Sequence, residues 1–145
     1  MSFSDEEIVY LSSNPLARLA SVCANEQPDV VPVALEFDGA HFWVGGPRAE
    51  VLGTRKFRNV EHGRDKVAFV VDDLVSLEPF IARGIRVYGV ADGPVERVGM
   101  VGPGHYLRIT PTLSWSWNLA DPPRPAGDTW YPVRKAEHSH GTDRG

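Results

Sequence analysis

The hydrophobic rhythm of the chain changes several times, and each change marks an element. The opening is helical. Ser4 and Glu7 have capping-box spacing, in which each side chain closes the other's free backbone N–H. Phe3 and Ile8 stand where a hydrophobic staple would flank that cap. The run Ser13-Asn14-Pro15 predicts the helix end, because the residue before a proline avoids the α region. Strand patterns follow. Leu16 to Ala24 is apolar, broken only by Arg18 and Ser21, and Asn25 to Gln27 reads as a turn. Alternation then puts Val31, Val33, Leu35 and Phe37 on one face, and Val30, Pro32, Ala34 and Glu36 on the other. Asp38-Gly39 is a hairpin signal, with Ala40 to Gly46 as the returning strand.

A second helix is predicted after Pro47. On a helical wheel, Arg55, Lys56, Arg58 and Asn59 share an arc of about 160°, with Gly53, Phe57 and Val60 toward the core. Lys66 to Asp73 is a buried-type strand. Arg83 to Val98 is another, with a bend at Asp92-Gly93, and His105 to Asn118 supplies one or two more. Five or six strands with one capped helix and one basic helix fit a small closed barrel better than a parallel α/β sheet. After Asn118 the chain turns rich in proline, charge and small residues. This divides it into a barrel domain, residues 1–120, and a C-terminal arm or tail, residues 121–145. Trp130 and Tyr131 could anchor that arm on the barrel or on a partner chain.

Charge sharpens the picture of the second helix. The chain has 145 residues and a net charge of -4, yet residues 53–66 hold Arg55, Lys56, Arg58, Arg64 and Lys66, five of its fifteen Lys and Arg. From spacing alone the stretch is either a solvated helix face or an anion site. Arg offers a planar fork to phosphate oxygens, Lys a point charge, and Asn59 can donate without adding charge. Pro32 within a strand pattern marks an edge. It either presents bare backbone to a flat ligand or belongs to an ordinary edge strand. Trp115 and Trp117 share a face and read as a subunit interface.

Other chemistries recede. An acidic chain gives no reason to expect nucleic-acid binding. No apolar run approaches the ~20 residues of a membrane span, and the N-terminus lacks a signal-peptide pattern, so a cytoplasmic protein is expected. Cys23 is the single cysteine; no intrachain disulfide can form, and it reads as buried. Neither His41, His62 and His105 nor the tail residues Glu137, His138 and His140 make a metal site. The G-x-S-x-G and G-x-x-x-x-G-K-[ST] patterns are absent. Asp72 and Asp73 read as turn caps.

The ordered series YLSSNPLARLASV, PDVVPVALEFDG, TRKFRNV, KVAFVVDD and RGIRVYGVA resembles the pyridoxamine 5'-phosphate oxidase-like split β-barrels. Within them it is similar to small actinobacterial members that use the deazaflavin coenzyme F420, including reductases of tetracycline-type biosynthesis. HYLRITPTLSWSWN resembles the closing strands, although the family often has glycine near the tryptophan of that strand, and here Ser116 lies between Trp115 and Trp117. The tail has no counterpart. The resemblance implies a mainly β split barrel and a homodimer with cofactor sites at its interface. It makes Thr54, Arg55, Lys56, Arg58 and Asn59 candidate tail-phosphate contacts, and Val31, Pro32 and Val33 candidate backbone beside the ring system. The implied function is F420-dependent hydride transfer to an activated C=C or C=O of a small organic substrate. Two alternatives stand beside it: an FMN-dependent oxidase of pyridoxamine phosphate or a similar amine, and a non-catalytic carrier of flavin, deazaflavin or tetrapyrrole. Tyr88, Tyr106 and His105 could each supply a proton, and nothing in the sequence selects one.

Overall fold

The computed structural model describes residues 2–138. Met1 and residues 139–145 lie outside the described residues, and with them His140 of the tail's potential chelating group. Helix α1 (Asp5–Ser13) carries the expected box: Ser4 N donates to Glu7 Oε1 at 2.8 Å, and Glu7 N to Ser4 Oγ at 3.2 Å. Phe3 turns into the core, edge-on to Phe37 and Phe42 at 5.3 and 5.6 Å and stacked on His138 at 4.1 Å, while Ile8 stays exposed.

Among the described residues eight strands form, where five or six were expected: β1 (Leu16–Val22), β2 (Pro28–Ala34), β3 (Glu36–Phe37), β4 (Phe42–Gly46), β5 (Lys66–Ser76), β6 (Ile81–Gly99), β7 (Gly102–Trp117) and β8 (Val133–Glu137). All pair antiparallel, in the order β2-β1-β5-β6-β7-β4-β3, with β8 also on β7. The hydrogen-bonded path does not close. It ends at β2 and β3, which are joined only through Leu35, so the barrel is split rather than closed. Leu35 N donates to Pro15 O at 2.8 Å there, which ends the β2 ladder and turns the chain into β3.

The alternation read from Val31 to Phe37 is present: Val33 and Leu35 are buried, and Val31 and Phe37 pack on the core. Phe42, Phe69, Leu19, Ile85, Val87, Leu107 and Ile109 fill the centre, each at most 2% exposed. Burying one such side chain is worth about 1.5–3 kcal/mol. Asp38 Oδ1 accepts from the N–H groups of Ala40 and His41 at the hairpin, where Gly39 has φ +101°. That left-handed backbone suits glycine.

Two readings need correction. Asp72 and Asp73 are not turn caps. They lie within β5, Asp72 paired with Arg18 and Asp73 with Arg83 at 2.9 Å. The composition of the segment after Asn118 also hides a strand. Tyr131 is buried, its hydroxyl donates to Phe80 O and accepts from Ala82 N, and β8 then pairs with β7 from Trp117↔Val133 to Leu113↔Glu137. Among the described residues no helix is long and apolar enough to cross a membrane.

Candidate functional site

The basic stretch folds as a 3-10 turn (Ala49–Gly53) followed by α2 (Arg55–Glu61), not as one continuous helix. Gly53 is therefore exposed instead of facing the core. Phe57 and Val60 are buried as expected and fasten α2 to the barrel. Asn59 is not on the exposed arc. It is 4% exposed, and its Nδ2 donates to Ser21 Oγ on β1 at 2.9 Å. That bond ties Asn59 to the end of β1 instead of leaving it among the exposed cations.

The loop from β1 to β2 completes a groove. Cys23 N donates to Gln27 O, and Glu26 N to Cys23 O, each at 2.9 Å, with Glu26 at φ 64°. This tight turn holds Cys23, Ala24 and Asn25 opposite α2. Together with Arg55, Arg58, Asn59, His62 and Arg64 they line a cavity of about 520 Å³. Arg55 Nη1 reaches Cys23 Sγ at 3.7 Å, and Arg64 Nε donates to Val22 O at 3.1 Å. Each contact uses one guanidinium N–H and leaves the others for a ligand. Arg58 has no side-chain hydrogen bond or ion pair among the described residues. The Cys23 contact and the nearby Asp29 raise the Arg55 pKa, so its charge is secure.

The other candidates are placed differently. Lys56 is half-buried and outside the cavity lining. Burial lowers its pKa, and Asp29 on β2 counters part of that shift. The Thr54 hydroxyl donates to Val51 O at 2.7 Å, which commits it to the 3-10 turn. Val31, Pro32 and Val33 lie along β2, which ends the hydrogen-bonded path. Pro32 pairs with Arg18 and is exposed, whereas Val33 points into the core. Arg64 and His62 were missed as site residues because they follow the helical arc. Arg64 did belong to the basic run, and that was its only signal.

A second cavity of about 520 Å³ lies on the outer sheet face. It is lined by residues including Val22, Lys66, Ala68, Tyr88, Gly89 and Val90. It adjoins the cationic groove where Arg64 binds Val22 O. Of the three possible proton donors, Tyr106 is buried and its hydroxyl donates to Gly102 O at 2.6 Å. Tyr88 is exposed, and His105 is half-buried, 3.5 Å from Glu96. Among the described residues no group of three or more His, Cys, Asp or Glu is arranged to hold a metal ion. His138 Nε2 lies 2.8 Å from Ser114 Oγ.

No protein-family model matches the chain. Over 91 residues it is 38% identical to a 5a,11a-dehydrotetracycline/5a,11a-dehydrooxytetracycline reductase of Streptomyces rimosus; the match covers 63% of each chain. Among solved structures it is similar to a protein of the pyridoxinephosphate oxidase family from Clostridium acetobutylicum, with TM-score 0.58, 13% identity, and coverage of 91% of this chain and 92% of that one. An F420 reductase gives TM-score 0.50 and 17% identity, covering 70% of this chain and 89% of that one. The class implied by the sequence pieces holds for the fold: this is a split β-barrel of the pyridoxamine 5'-phosphate oxidase type.

Proposed function

We propose that the protein is a coenzyme F420-dependent oxidoreductase that reduces an activated C=C or C=O of a small organic substrate. The observation that carries this reading is the groove in which Arg55, Arg58 and Arg64 lie without a paired carboxylate. Its residues fit the anionic end of such a cofactor: guanidinium forks bind phosphate oxygens bidentately. The 38% identity to a reductase supports redox chemistry over simple carriage.

When bound, a reduced deazaflavin supplies the hydride. The chain's own part is binding and orientation. Arg55, Arg58 and Arg64 hold the anion. Pro32 on β2, the strand that ends the hydrogen-bonded path, has no N–H to contribute there and offers bare backbone to the ring system. Tyr88 lines the second cavity on the outer sheet face and is the exposed tyrosine available to pass a proton. No nucleophile is needed for this chemistry.

The same reading includes a homodimer. Across the outer sheet face, Val30, Ala20, Ala68, Tyr88 and Leu113 are successive register partners from β2 to β7. Val30 is 64% and Tyr88 41% exposed. An apolar row of this kind suits cover by a second copy, which would also exclude water from the site.

Separate titrations of the purified protein with F420 and FMN test the proposal, followed by anaerobic assay of the reduced form with an unsaturated ketone. F420 is expected to bind at micromolar concentration and to be reoxidised. Saturation by FMN alone would replace this reading with the FMN-dependent oxidase.

A further inference from the structure

A third cavity, of about 290 Å³, lies where the N-terminal end of α1, the C-terminal end of β7 and the approach to β8 meet. It shares no lining residue with the cationic groove or with the outer-face cavity. Bonds within the chain fix its walls. Arg134 donates to Glu7 Oε1 at 2.7 Å and to Ser2 O at 3.1 Å. The Asn118 side chain accepts from Arg124 N and donates to Arg124 O, each at 2.9 Å, and donates also to Ala82 O at 2.8 Å. The loop that carries Arg124 is therefore held in place without a ligand, and a pre-formed site binds at lower ordering cost.

The charges of this cavity are treated unequally. Glu7 and Arg134 neutralise each other. Glu6 and Arg124 both line the cavity and are exposed, yet among the described residues neither side chain makes an ion pair or a hydrogen bond, with the other or with a third group. One carboxylate and one guanidinium thus stay open on the same small cavity. Trp117, Leu119, Tyr131 and Val133 add apolar surface beside them. A ligand with a single charge meets one of the two groups and leaves the other. A ligand with both charges satisfies them together through charge-assisted hydrogen bonds. The volume is at the small end of the ~300–1,000 Å³ usual for ligand sites, which suits a molecule of amino-acid size and not a nucleotide-like cofactor.

We infer that this cavity is a second binding site, for a free amino acid with an apolar side chain or a zwitterion of the same kind. The ammonium meets Glu6, the carboxylate meets Arg124 and the side chain lies against Trp117. The inference is independent of the cofactor reading, which uses none of these residues.

Titration of the full chain with L-phenylalanine, phenethylamine and 3-phenylpropanoate, followed by tryptophan fluorescence and calorimetry, tests this. L-Phenylalanine is expected to bind about tenfold or more tighter than either analogue. Arg124→Gln should bring L-phenylalanine down to the affinity of phenethylamine, which itself stays unchanged. Glu6→Gln should bring it down to that of 3-phenylpropanoate. Both side chains are exposed and unpaired, so the circular dichroism spectra of both variants should match wild type. Arg58→Gln, in the cationic groove, should alter none of the three affinities. Three results overturn the proposal: no L-phenylalanine binding at millimolar concentration, L-phenylalanine no tighter than one of the analogues, or wild-type affinity in either cavity variant. The outcome separates from the redox reading. F420 or FMN binding without L-phenylalanine binding removes this site alone, and L-phenylalanine binding without either cofactor leaves it standing.

Discussion

Arg134 on the last strand donates to Glu7 Oε1, in the first helix, at 2.7 Å. Glu7 is 1% exposed, and its other oxygen accepts from Ser116 Oγ at 2.5 Å. One carboxylate thus caps α1, takes a hydroxyl from β7 and receives the guanidinium that ties down β8. Ser116, between Trp115 and Trp117, thus has a definite partner for its hydroxyl.

Removing either partner should destabilise the fold. Arg134→Ala should cost about 2–3 kcal/mol, below the value for a fully buried pair because the Arg134 side chain is 36% exposed. Ser116→Gly leaves a buried carboxylate oxygen short of a donor and should cost about 1–3 kcal/mol. Urea unfolding monitored by tryptophan fluorescence checks both. Wild-type midpoints in both variants would mean that the Glu7 cluster contributes little.

The cluster around Asp73 should set a pH dependence. Tyr10 OH donates to Asp73 Oδ1 at 2.6 Å and Arg83 Nε at 2.9 Å, with Arg83 also over the Tyr10 ring at 5.2 Å. Burial alone would raise the Asp73 pKa, but the hydrogen bonds from Arg83 and Tyr10 and the Arg83 charge outweigh it and hold the carboxyl below its ordinary range. On acidification the unfolded chain therefore takes up this proton first. The stabilisation is complete above about pH 4 and is lost as pH falls through the folded-state pKa. The stability gap between wild type and Asp73→Asn should be full at neutral pH and narrow in acid. A gap independent of pH contradicts the assignment. Tyr10 acts in the opposite direction. Burial, then its bond to Asp73, raises its pKa, so its contribution is present below about pH 10 and declines above it.

Placing charge on the outer apolar row should split a dimer. Val30→Asp with Tyr88→Asp should halve the mass seen by light scattering while leaving the circular dichroism spectrum unchanged, because both side chains point away from the core. A wild-type protein that is already monomeric at micromolar concentration would remove the interface.

Local signals were readable where the structure they specify is local. The box between Ser4 and Glu7 and the turn at Asp38-Gly39 form within a few residues and do not depend on distant packing. Asn59 shows where such reasoning stops. Its angular position lies among cations, yet it is buried in tertiary contact with Ser21 on β1, which its own stretch does not announce. β8 was hidden for a related reason. Its five residues VRKAE carry too few apolar positions to set a period, and β7 supplies the pairing. The basic run announced a concentration of charge. The groove also required Cys23 to Asn25 from another part of the chain.

The anion-holding role of α2 is tested most directly by titrating F420 fluorescence at low and high salt into wild type and into Lys56→Ala combined with Arg58→Ala. Lys56 lies outside the groove lining and Arg58 within it, so Arg58 is expected to account for most of the loss. The wild type should bind tightly and lose affinity as salt rises, and the variant should bind about tenfold or more weakly at low salt with a flatter salt response. Equal affinity and equal salt dependence in the two proteins would show that these cations face solvent and hold no cofactor.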